Sequence, residues 1–352
     1  MTIQVVARRG GGLLVFLPFA LLLFLAAPVE GQTRERPNRP TGPSILKLQA
    51  STRAHALGGA FWPGSGHAVF LHPSLIPSQG FDLSVGGVYD RDDDGDRDHD
   101  SRDRDRDDGR HQADDALYTA LSVATGWMGG SVSVGLAVLD SRYSPDIDVG
   151  RGRGRDLTSA EWARLAAAAR LRRSSTEFVS VVGYNREAVF GIDVGAAAKL
   201  VGLTAGGQGG RAGALDLGAS RDFGRVTAAL TVQNLGPDLE LAGGRVPLPR
   251  RLVLGAGTRG RAPVGPLDIG GALQVAYERG GEIVPGGGVE IAYWPIQRRV
   301  FILRIGAVRV VEGDGLPLTF GAGFEGDRIR LDYGFSDRDP VVGPHRIGVS
   351  IR

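Results

Sequence analysis

From Gly80 onward, apolar residues recur at every second position in about fourteen short runs. A period of two is the period of an extended strand, whose successive side chains point to opposite faces. The stretch Leu316–Ser336 is the clearest case. Leu316, Leu318, Phe320, Ala322 and Phe324 share one side, with Thr319, Gly321 and Gly323 on the other. Gly326-Asp327 permits a tight reversal. Ile329, Leu331, Tyr333 and Phe335 then oppose Arg328, Arg330, Asp332 and Gly334. One face of this hairpin is apolar and the other is small or charged. A soluble sandwich would turn the apolar face to a core. A membrane barrel would turn it to lipid and line its lumen with the other.

The start of the chain bears on that choice. Arg8 and Arg9 precede the apolar stretch Leu13–Ala27, and small or modest residues follow at Val29-Glu30-Gly31. That is the layout of a cleaved export signal, assigned to residues 1–31. The alternative is an N-terminal membrane anchor, for which the run is short. Beyond Gln32 no run reaches the roughly 18 apolar residues of a spanning helix. An exported chain with 42% hydrophobic residues and no such run can still cross a membrane as a closed barrel. The chain lacks cysteine, which excludes disulfides and thiolate chemistry. Its net charge of +2 points to no nucleic-acid partner.

The expected strands begin near Phe81, Ala116, Ser131, Thr176, Val189, Ala212, Arg225, Arg251, Leu267, Ile283, Arg299, Leu316, Arg328 and Arg346. In Leu267–Tyr277, for example, Ile269, Leu273, Val275 and Tyr277 stand against Asp268, Gln274 and Glu278. The early connections alternate in length. Asp90–Asp115, Asp140–Ser175, Val201–Arg211 and Gly236–Arg250 are long; Gly126–Gly130, Asn185–Ala188, Arg221–Gly224 and Gly260–Pro266 are short. Long outer loops and short periplasmic turns are the asymmetry of transmembrane barrels. Aromatics near run ends, Tyr89, Trp127, Tyr184, Tyr277, Tyr293, Trp294, Tyr333 and Phe335, suit a girdle at the two interfaces.

Residues 32–43 read as a flexible lead, and 44–79 as an irregular segment with a brief helix near His67–Leu75. Irregular backbone cannot face lipid, because its amides would go unpaired. Its apolar side chains, among them Leu57, Phe61, Trp62, Phe70 and Leu75, are poorly suited to solvent. The barrel interior is the remaining place. The segment is therefore expected to act as a plug through Leu57, Gly58, Gly59, Phe61, His72 and Pro73, the two glycines letting the chain turn closely against the wall.

Residues 90–115 form an Asp/Arg-rich outer loop. Asp90, Asp92, Asp94 and Asp98, with Gly95 at the turn, follow the spacing of hard-oxygen calcium ligands. Ser101 stands where an EF-hand places its bidentate Glu, and a solvated loop is the plainer reading. In the outer loop 140–175, Thr158-Ser159-Ala160-Glu161 is a capping box followed by an Ala- and Leu-rich run, so one short helix is expected there. His67, His72 and Ser74 make no nucleophile-base-orienter constellation, and no enzymatic activity is expected. Gly206-Gly207-Gln208-Gly209-Gly210 lacks the Lys-Ser/Thr of a P-loop and reads as a turn.

Several landmarks resemble the PorV/PorQ family of outer-membrane proteins. Arg53–Phe61 is similar to its "ARALGMGGAF" opening, and His72-Pro73-Ser74-Leu75 stands where the family has Asn-Pro-Ala-Gly-Leu. Gln233–Gly236 with Leu248-Pro249-Arg250 resembles "QNLGP…LPR", and Glu290–Trp294 resembles "EYW". Leu331–Phe335 resembles "LDYAF", and Gly343–Ile347 the closing "G-x-T-H-R-I". The chain departs from the family in His72, in the Asp/Arg insertion and in ending on Arg352 rather than an aromatic residue. The resemblance runs from about Leu46 to Arg352. It implies a 14-stranded barrel related to fatty-acid transport channels, with the N-terminal segment tucked inside.

The expected product is an all-β protein. A single 14-stranded antiparallel transmembrane β-barrel spans residues 80–352 in the outer membrane, in contact with its lipid. The expected role is binding or scaffolding, holding or shuttling secreted substrates alongside secretion-machinery subunits, as in type IX secretion. The alternative is a channel for small hydrophobic molecules of the fatty-acid transporter type, and a third option is a soluble periplasmic β-protein. No cofactor is expected beyond the calcium option.

Overall fold

The computed structural model describes residues 42–89, 115–143, 173–187, 189–205, 208–241, 244–309, 318–336 and 344–352. The export signal, most of the lead, the calcium spacing at Asp90–Asp98 and the capping box at Thr158 lie outside the described residues. Fourteen strands form one antiparallel ring. In chain order they are Gln79–Tyr89, Asp115–Trp127, Gly130–Tyr143, Arg173–Glu187, Ile192–Ala205, Gln208–Phe223, Val226–Leu235, Arg251–Thr258, Leu267–Glu278, Ile283–Ile296, Arg299–Val308, Leu318–Glu325, Ile329–Ser336 and His345–Ile351. Neighbours in sequence pair with each other, and the first strand pairs with the last, Phe81 opposite Ile351. The ring thus leaves no edge among these strands, as a membrane requires.

Each of the fourteen expected runs corresponds to one strand. The faces also fall as the alternation requires: Val134 and Leu136 are exposed, whereas Ser133, Gly135 and Ala137 are buried. Leu303, Val275, Leu254, Leu230 and Leu217 belong to the same exposed apolar surface. No helix among the described residues is long and apolar enough to cross a membrane; the strands carry the apolar belt. Trp127, Phe190, Phe223, Tyr293, Trp294 and Phe301 are exposed at the end with short turns, where an aromatic girdle belongs.

Three readings of the connections are corrected. Val201–Arg211 is not a long loop: one strand runs to Ala205 and the next starts at Gln208. Gly236–Arg250 contains a small hairpin, Leu239–Leu241 paired with Gly244–Val246. The Gly260–Pro266 turn carries Ala262–Val264, a three-residue spur on Leu267–Glu278. Arg328 is also displaced from the expected lumen wall. It lies exposed in the turn before Ile329, and its carbonyl accepts from the Arg352 amide at 3.0 Å.

Residues 42–78 lie within the ring. They contain two short helices, Thr52–Ala56 and Ala68–Leu71, and 3-10 turns at Ser44–Leu46 and Pro73–Leu75. Ser51 caps the first helix, its hydroxyl accepting from the Ala54 amide at 3.3 Å. The lumen wall makes room by being small where the segment touches it. A Cβ on Gly195 would collide with the Pro73 and Ser74 backbone, and one on Gly306 with Leu57 and Gly58. Gly58 itself has φ +65° and meets the Ala307 and Gly287 carbonyls where its Cβ would be. Part of the 55-glycine composition is therefore space for this segment.

Candidate functional site

The lumen has two zones of opposite chemistry. Toward the end with long connections it is apolar. Ile45, Leu46 and Ala50 of the segment, with Val69 and Phe70, pack against Tyr118, Leu139, Val179, Val201 and Leu248 of the wall and its connections. The remaining gap is about 10 Å³, room for no more than a single water. Few polar bonds hold this stretch. The Ile45 amide donates to Glu177 Oε2 at 2.7 Å, Lys47 pairs with Glu278 at 3.4 Å, and Arg346 donates to the Gln49 carbonyl.

Deeper in the lumen, toward the short turns, charges replace hydrocarbon. Glu290 is fully buried and receives three guanidinium groups. Arg53 donates to both oxygens at 2.8 and 2.7 Å, Arg304 to Oε2 at 2.7 Å and Arg261 to Oε1 at 2.5 Å. Arg304 also pairs with Asp332 at 2.7 Å. Glu325 takes Arg261 at 3.1 Å and Arg330 at 2.6 Å. Arg53 further lies 4.0 Å over the Trp62 ring. Burial lowers the Arg53 pKa to about 9 against the opposing pull of Glu290, so it stays charged at neutral pH. A buried charge is tolerable only when paired and hydrogen-bonded, and this network meets that condition. It ties the segment to four neighbouring strands and one turn.

The expected plug residues all sit at the segment–wall boundary. Leu57 is buried beneath Gly288 and Gly306. The Gly58 amide donates to Thr319 Oγ1 at 3.0 Å, and the Gly59 amide to the Ala54 carbonyl at 2.9 Å. Phe61 packs on the His72 ring with centroids 4.7 Å apart. His72 Nδ1 lies 3.0 Å from Thr231 Oγ1, and Pro73 is buried beside Gly195. Burial lowers the His72 pKa to about 3 and the His67 pKa to about 4, the latter opposed by Asp82. His55 is lowered well below its ordinary value by burial and by Arg346.

Sequence reasoning missed Arg53, Glu290, Arg304, Arg261 and Glu325 as a unit, although Arg330, Asp332 and Gln274 were expected to face inward, and all three are buried. An available signal was Arg304 in FILRIG and Glu290 in VEIAYW, each an ion at the inward phase of an apolar strand. Other inward polar groups grip the segment's backbone. Gln233 donates to the Leu71 carbonyl at 2.7 Å, and Asn185 to those of Ser74 and Ile76 at 3.1 and 2.9 Å. Asn234, at φ +59°, accepts from Lys199 and donates through its side chain to the Pro249 carbonyl at 2.8 Å.

The mouth at the short-turn end is open. Two cavities of about 430 and 410 Å³ lie there, and Pro63 and Gly64 line both.

The chain is similar in fold to solved outer-membrane channels. A deltaS2S3 mutant of the TodX monoaromatic hydrocarbon channel superposes with TM-score 0.52 at 14% identity, over 85% of this chain and 96% of that one. The CymD monoaromatic hydrocarbon channel gives 0.51 at 12% identity, over 86% and 96%. A Pseudomonas aeruginosa FadL homologue gives 0.51 at 11% identity, over 86% and 95%. At such identities the likeness is one of fold. No family model and no curated protein matches the chain. With its closed ring and apolar belt, the protein is a 14-stranded barrel of the outer membrane.

Proposed function

We propose that this barrel is a channel for small apolar molecules, shut by its own residues 44–78. The observation that carries the reading is the apolar chamber filled by Ile45, Leu46 and Leu48. Those side chains occupy the volume an apolar solute would need. Exchanging them for a solute conserves buried hydrocarbon, so opening there carries little hydrophobic cost. The names of the similar barrels, hydrocarbon channels among them, agree with this choice. The PorV/PorQ resemblance favours the other role, a rigid rim that binds secreted substrates or secretion subunits. The firm ionic fastening of Arg53 to the wall supports that second reading, because a filler benefits from being bolted in place.

Deleting Ala54–Leu75 separates the two. In vesicles carrying the barrel, a channel should pass neutral monoaromatic solutes faster after the deletion. A filler should lose thermal stability with no gain in passage. Heat-dependent gel mobility of the same preparation establishes that the deleted barrel is still closed.

A further inference from the structure

We infer that the barrel holds an anionic phospholipid of the periplasmic leaflet on its outer wall, with the lipid phosphate between Arg186 and Arg221. This rests on the lipid-facing surface alone and is independent of the channel reading. Along Gln208–Phe223 the exposed Leu217 marks the outward parity, and Ser220 is buried at the other. Arg221 and Phe223 therefore point outward at the short-turn end, the guanidinium 5.3 Å from the ring centroid. Along Arg173–Glu187 the exposed Val182 shares its parity with Tyr184 and Arg186, whereas Gly183 faces Val69 in the lumen. The strand Ile192–Ala205 lies between, with Val194 opposite Arg186 and Ile192 opposite Arg221. The two arginines are thus about 10 Å apart across the sheet and about 7 Å along it, close enough for their long side chains to converge on one phosphate.

Neither arginine forms an ion pair among the described residues. The rim carboxylates of these strands, Glu187, Asp193 and Asp222, take the inward parity and line the smaller mouth cavity, which Arg186 also borders. Asp222 is already taken by Arg259 at 2.8 Å. Arg299, an outward arginine elsewhere on the ring, differs in being answered by Asp327 at 3.7 Å. A charge at the edge of the hydrocarbon is costly unless it is paired, and the anions within its reach there are lipid phosphates. Farther into the membrane, Ala196, Ala198 and Ala219 occupy outward positions, where small side chains leave room for an acyl chain. Trp127 meets Tyr184 edge to face at 6.0 Å on one side, and Phe223 is exposed on the other. Aromatic rings interleaved with arginines suit the headgroup level of a bilayer.

The test is native mass spectrometry of the detergent-purified barrel titrated with dioleoylphosphatidylglycerol, with the phosphatidylcholine of the same chains as the neutral comparison. Saturable retention of the anionic lipid is expected. Arg186→Gln and Arg221→Gln should each weaken it about fivefold, and the double variant about twenty-five-fold, the worth of one and two basic residues at an anionic surface. Arg328→Gln, in a different short turn, should leave it unchanged. All three side chains are exposed, so the heat-dependent gel shift should persist in every variant. Four results would overturn the inference: no saturable retention, equal retention of phosphatidylcholine, an equal loss in Arg328→Gln, or unchanged affinity in the double variant. None of them bears on solute passage, so the channel reading stands or falls separately.

Discussion

Glu290→Ala is expected to destabilise the seated lumen segment by about 3–5 kcal/mol, the cost of stripping a buried charge network of its anion. Arg53, Arg261 and Arg304 would then face one another with only Glu325 and Asp332 nearby. The ring itself is built from strand pairing and an apolar belt, which the substitution leaves intact. The expected readout is therefore selective. The barrel should keep its heat-dependent gel shift while residues 53–75 become open to protease. Glu290→Gln should fall between, keeping acceptor and shape but losing the charge. A segment equally protected in Glu290→Ala and wild type would mean that the network does not hold it.

Acid should release the same segment by a second route. His55, His67 and His72 are buried and their folded pKa values lie below the ordinary 6.5. Above pH 6.5 both folded and unfolded forms are neutral and the full stability is present. Below it the unfolded form takes up protons that the folded form refuses. Stability is lost at about 1.4 kcal/mol per pH unit for each histidine, until pH falls through the folded pKa. For His67 that window runs from 6.5 to about 4, and for His72 to about 3. By pH 5 each should have cost about 2 kcal/mol. His72→Asn removes one titrating group and can keep the contact to Thr231. Its melting temperature should fall less steeply between pH 6.5 and 5 than that of wild type. Parallel slopes would remove His72 from the account.

The strands were legible in the sequence because their signal is local. In Leu267–Tyr277 each residue's face is set by its parity, and around the ring parity slips at register shifts such as Leu215–Leu217 and Tyr293–Ile296. Residues 201–211 read as a loop because KLVGLTAGGQGGRAG, residues 199–213, offers few side chains to alternate, yet one strand runs to Ala205 and the next begins at Gln208. The place of residues 44–78 was legible by elimination, from the cost of unpaired amides in lipid. The charge network was not. Arg53 and Glu290 are 237 residues apart, and no local pattern says which inward arginine meets which inward carboxylate. The division of the lumen into apolar and ionic zones was hidden for the same reason. It depends on which part of an irregular segment stops at which depth.

The central claim, that the segment must move for solutes to pass, can be tested by locking it. The chain has no cysteine, so an introduced pair is unambiguous. A Cβ on Gly183 would stand 2.8 Å from Val69 Cγ2, which puts Val69→Cys and Gly183→Cys within disulfide reach. The measurement is passage of a neutral monoaromatic solute into vesicles carrying this double variant, oxidised and then reduced. The expected result is no passage when oxidised and recovery to the wild-type rate on reduction. Equal passage in both states, with the disulfide verified by gel mobility, would contradict the account.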